Sequence, residues 1–129
     1  MSTYAMTVSL TDDPATAESR VRDALAAEGF GILSTIDVRA ALLEKLGEDV
    51  GHYTILGACN PPLAHQALAA DRDIGALLPC NVVVRAAEGG GSEVAAADPR
   101  AMVELAGDAL APVAADARDR LERALAALG

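Results

Sequence analysis

Aromatic side chains are almost missing from this chain. It has no tryptophan, Phe30 is its only phenylalanine, and its two tyrosines are Tyr4 and Tyr53. Platforms on which single-stranded bases could stack are therefore lacking, and a haem pocket would find few large apolar walls. Basic residues are also scarce, ten against 19 acidic ones for a net charge of −9, and Lys45 is the only lysine. The arginines are scattered, so no basic stripe exists to displace counterions from a phosphate backbone, and no nucleic-acid partner is expected. The acidity reads as a solubility feature. No run approaches the ~18 apolar residues of a membrane span. The start, Met1 to Met6, has no basic segment followed by an apolar run, as a signal peptide would. No membrane association and a cytoplasmic location are expected. In a reducing compartment the two cysteines are expected to be free thiols, ligands or a redox couple, not a permanent staple.

The 129 residues suit one domain spanning 1–129. Hydrophobic residues make up 52%, but much of that is alanine, which buries little area. The core must rest on Leu, Val and Ile.

Residues 3–10 alternate, with Tyr4, Met6, Val8 and Leu10 on one side, which predicts a half-buried strand beginning at Thr3. Asp13 and Pro14 open a helix whose stripe is Ala17, Val21, Ala24 and Leu25, and Gly29 stops it. Phe30 to Ile36 reads as a second strand. Asp37 caps a short helix from Val38 to Leu46, with Leu42, Leu43 and Leu46 expected inward. A third strand covers His52 to Ala58, and a helix follows from Asn60 to about Ala70. A strand over Asn81 to Arg85 and a weaker one over Glu93 to Ala97 flank a hairpin turn, Glu88-Gly89-Gly90-Gly91-Ser92. Asp98-Pro99 starts a short helix through Ala106. A final helix repeats Leu110, Val113, Ala117, Leu121, Ala124, Leu125 and Leu128 at helical spacing.

Two segments echo each other: Gly57-Ala58-Cys59-Asn60-Pro61-Pro62 and Leu77-Leu78-Pro79-Cys80-Asn81-Val82. In the first, Asn60 is a good cap and Pro61 a good first helical residue, which puts Cys59 just before a helix N-terminus. Unpaired N–H groups there favour a thiolate. Cys80 opens the next strand. If strands 52–58 and 81–85 are antiparallel neighbours, Cys59 approaches Cys80; if they are parallel, the thiols sit at opposite ends. Two cysteines at strand ends also serve well as small core filler, and capping alone accounts for Asn60 and Pro61. His65 lies one turn beyond Pro61 and could supply a third ligand with Cys59 and Cys80. No Cys-x-x-Cys or His-Glu-x-x-His spacing accompanies it.

Other motifs carry less. The glycine triplet lacks the Gly-Lys-Ser/Thr ending of a phosphate loop and lies between strands. No Gly-x-Ser-x-Gly elbow is present. Ser34, Thr35 and Asp37 suit strand pairing and capping, and Glu44 and Lys45 suit a solvated helix face.

The segments Phe30-Gly31-Ile32-Leu33, Ile36-Asp37-Val38, Leu42 to Gly47, Tyr53-Thr54-Ile55-Leu56-Gly57-Ala58-Cys59-Asn60-Pro61 and Leu77-Leu78-Pro79-Cys80-Asn81-Val82 together resemble the domain of unknown function 302 family. The resemblance spans essentially the whole chain and is weaker at both ends. It implies a compact α+β domain of bacterial and archaeal type. Its sheet would be small, of about five strands, mostly antiparallel or mixed, with helices packed on one face. It also implies a tendency to form homodimers. Cys59 and Cys80 fall on family motif positions, but the resemblance implies no established activity.

The leading expectation is a small domain that binds a ligand, a soft metal ion or a thiol-reactive partner around Cys59, Cys80, Asn60, Asn81 and His65. Cys59 would be the more ionised thiol. Cys80 would resolve a mixed disulfide or complete a soft-metal pair with it, and His65 would orient or protonate the bound group. The alternative is a non-catalytic module that binds an apolar small molecule, or a homodimeric interaction protein.

Overall fold

The computed structural model describes residues 4–129. Five strands form one sheet: β1 (Ala5–Leu10), β2 (Gly31–Asp37), β3 (Tyr53–Cys59), β4 (Cys80–Ala86) and β5 (Ser92–Ala97). Their order is β1-β5-β4-β3-β2, and every neighbouring pair is antiparallel. The helices are α1 (Pro14–Ala27), α2 (Val38–Leu46), α3 (Pro61–Ala70), α4 (Arg100–Ala106) and α5 (Ala111–Ala126). The α+β architecture expected from sequence is the one observed. The expected strand start at Thr3 lies outside the described residues, and Tyr4, expected on the inner side of β1, is exposed.

Alternation along the strands supplies the inner face. Leu56 and Ala58 on β3, Val82 and Val84 on β4, and Val94 and Ala96 on β5 are all buried, because residues two apart share a face. Against them lie Ala17, Val21 and Leu25 of α1 and Leu121 and Ala124 of α5. These are the positions their helical spacing predicts. Arg120 and Arg123 of α5 tie the helices together: one donates to the Glu28 carbonyl at 3.1 Å and the other to the Glu28 carboxylate at 2.9 Å.

A second apolar cluster joins Leu63 and Ala67 of α3, Met102 of α4 and Val113 and Ala117 of α5 with Ile74 and Leu110. Next to it, Asp98 is buried at 4% exposure and accepts from the Arg100 backbone and guanidinium, with Arg118 at 3.4 Å. Burial would raise its carboxyl, but the Arg100 hydrogen bonds and the two positive charges outweigh burial and hold it below the usual carboxylate value.

One expectation about the helices fails. Leu42, Leu43 and Leu46 do not point inward: none of the nine residues of α2 is buried, and Leu46 is 68% exposed. The inner face is already filled by α1 and α5, so α2 rests outside it, against β3. Its ends do behave as read, with Asp37 accepting from Ala40 N at 2.9 Å and Gly47 closing the helix.

Candidate functional site

Asn60 caps α3 as expected. Its Oδ1 accepts from Leu63 N at 3.3 Å, with Pro61 in the first helical position. The cap is wedged beside Gly29, which has a φ of +86°; a β-carbon there would lie 3.0 Å from Asn60 Nδ2. Only glycine combines that backbone with that approach. The turn after α1 thus fixes the start of α3, and with it the end of β3.

The antiparallel alternative for β3 and β4 is the one realised, so the strand ends carrying Cys59 and Cys80 do come together. The register, however, pairs Cys80 with Ala58. Ala58 and Cys80 therefore share the inner face, and Cys59, the last residue of β3, is not the partner of Cys80 across the strands. The expected two-thiol unit is corrected by that single-residue offset, and both cysteines are free. Burial, and secondarily the neighbouring Cys59, pushes the Cys80 thiol up to about 11. At neutral pH it is a protonated, buried group, the opposite of an activated nucleophile.

The remaining candidates disperse. Asn81 is exposed on β4 opposite Gly57. His65 is exposed on α3 and does not border the cavity described below. Among the described residues, no three His, Cys, Asp or Glu side chains are gathered to hold a metal ion. The set of Cys59, Cys80 and His65 is thus not assembled. At about 100° of rotation per residue, His65, two residues from both Leu63 and Ala67, is carried around to solvent while those two face inward.

Between these elements lies a half-open cavity of about 260 Å³, bounded by the end of the β3–β4 pair on one side and by α3, α4 and α5 on the other. Ala58, Leu63, Ala67, Met102 and Ala117 line it, Cys59 and Cys80 border it, and Leu33 of β2 stands at its edge. No charged side chain contributes to this wall, and Asn60 is its one amide. Sequence reasoning named only Cys59, Asn60 and Cys80 of this set. The signal that could have found the cavity was the alanine content: where Ala58, Ala67 and Ala117 meet between layers, no large side chain fills the space.

A family model matches residues 6–128, and its description is domain of unknown function DUF302. The chain belongs to the DUF302 family. Among solved structures, this DUF302 domain is similar to the crystal structure of uncharacterized conserved protein DUF302 from Bacillus stearothermophilus. The two share 29% identity with a TM-score of 0.91, over 99% of this chain and 100% of that one. No curated protein matches. No helix among the described residues is long and apolar enough to cross a membrane.

Proposed function

We propose that this DUF302 domain is a small-molecule-binding module whose ligand occupies the cavity between the β3–β4 end and α3, α4 and α5. The observation that carries this reading is the cavity itself, about 260 Å³ with an uncharged wall. A dry cavity of about 150 Å³ already accommodates benzene. Scaled by volume, this one takes a molecule of about ten non-hydrogen atoms. Thiol chemistry, if it accompanies binding, narrows to Cys59, because the Cys80 thiol is held protonated by burial. A ligand that binds only the folded state raises stability by about 2.7 kcal/mol at a hundredfold excess over its Kd. 1-Naphthol, neutral and of matching size, should therefore raise the Tm by several degrees. An unchanged Tm across neutral bicyclic compounds of this size contradicts the reading.

A second observation favours assembly into a homodimer. Leu33, Ile36, Leu43, Leu46 and Val50 are exposed along β2, α2 and the loop after it. Large apolar side chains left this open on neighbouring elements are the kind of surface that marks a protein contact. A nine-residue helix with no buried side chain is marginal in water on its own. A second copy of the chain laid on this face would bury it.

A further inference from the structure

The cavity does not end at Cys80. A second cavity of about 210 Å³ lies beyond it, bordered by Ala97, Asp98, Ala101 and Leu105, and Cys80 and Met102 belong to the walls of both. These two side chains are the ones that stand at the boundary between the two spaces. Cys80 is fixed on a central strand of the sheet. Met102 is unbranched, with three rotatable bonds, on a seven-residue helix. We propose that the two cavities form one channel, that Met102 is its movable partition, and that the occupant is a neutral, unbranched apolar chain threaded past Met102 and Cys80. This deepens the small-molecule reading and rests on it.

Both the shape and the charge select this class. A gap opened by one methionine side chain admits a chain one methylene wide, whereas a fused ring is confined to the first chamber. At the volume benzene needs, the two chambers together hold about nineteen non-hydrogen atoms, against about ten for the first alone. The inner wall has no charge, and Asp98 in the outer wall is already engaged by Arg100 and Arg118. With a net charge of −9, the molecule offers an anionic headgroup no unpaired cation inside the channel, so a neutral terminus such as an alcohol is favoured.

The test is a series of linear primary alcohols from octanol to tetradecanol, measured by displacement of fluorescent 1-naphthylamine, a neutral bicyclic probe that fits the first chamber. Each buried methylene should tighten binding roughly fourfold. The channel predicts that this gain continues without a break past ten carbons. It also predicts that tetradecanol binds more tightly than tetradecanoate. Ala101→Phe, which narrows the outer chamber and leaves Met102 in place, should flatten the gain beyond ten carbons. A plateau at about ten carbons in the unmodified protein overturns the channel while leaving the single-cavity reading standing. No saturable binding by any alcohol, octanol included, removes both. Tighter binding of tetradecanoate overturns the neutral-chain assignment.

Discussion

Ala58 stands directly opposite Cys80 across the β3–β4 pair. Because strand side chains alternate, that pairing sends the two thiols in different directions from their strands, although the strand ends adjoin and both residues border the cavity. Two cysteines whose Cβ directions diverge cannot be bridged without moving the backbone. At pH 8 a thiol reagent such as DTNB should therefore modify one cysteine per chain rapidly, the half-buried Cys59. The second should react only on unfolding. Cys59→Ser should abolish the fast phase. Two fast thiols, or a quantitative intramolecular disulfide under mild oxidation, contradicts the assignment.

The buried Cys80 also makes stability depend on pH. Its thiol is raised to about 11 in the folded protein, against about 8.5 when unfolded. Above pH 8.5 the unfolded chain loses this proton while the folded one keeps it, so stability falls as pH rises through the window up to about 11. Below it the contribution is fully present. One pKa unit corresponds to about 1.4 kcal/mol, so the loss across the whole window is on the order of 3–4 kcal/mol. Urea unfolding at pH 8 and pH 10.5 should show a steeper decline for the unmodified protein than for Cys80→Ala. Parallel declines exclude the effect.

Gly57 marks the tightest approach near the site. A β-carbon there would overlap the Ser34 side chain and lie 2.9 Å from Pro79 Cγ. Gly57→Ala should lower stability by about 1–3 kcal/mol through overpacking. Adding Ser34→Ala should restore part of the loss, since it removes one of the two obstructing groups. Chemical denaturation of the single and double variants measures both effects. A stable Gly57→Ala protein would show that the strands are not this closely spaced.

The exposed face of β2 and α2 is read as the contact between two copies. Leu46→Glu, at a position 68% exposed, places a charge on that face without disturbing a buried contact. Sedimentation equilibrium should show a dimer for the unmodified protein and a monomer for the variant, each with similar helical content. A monomeric unmodified protein would remove the dimer from the account.

The two sides of the molecule differed in how far the sequence revealed them. Helix caps and turns could be read directly, because their chemistry is local: Asn60, Asp37 and Gly47 act where they stand, and the glycine-rich segment 88–92 joins β4 to β5. The stripe of α5 was equally legible, since its spacing belongs to one helix. What failed needed information from another element. The leucines of α2 looked inward, but which face is filled depends on α1 and α5. The cysteine pair looked convergent, but strand register decides the face, and a shift of one residue reverses it. The cavity went unseen because it arises from small residues on elements far apart in sequence, Ala58, Ala67 and Ala117 among them.

The claim that most of the account rests on is that this half-open apolar space is a ligand site. Fluorescence titration with 1-naphthylamine tests it most directly when the unmodified protein is compared with Ala64→Phe, which projects a ring into the cavity from a partly exposed position on α3. The account predicts saturable binding of one probe per chain, and loss of that binding in a variant that still unfolds cooperatively. Equal binding by both proteins, or none by the unmodified one, would contradict it.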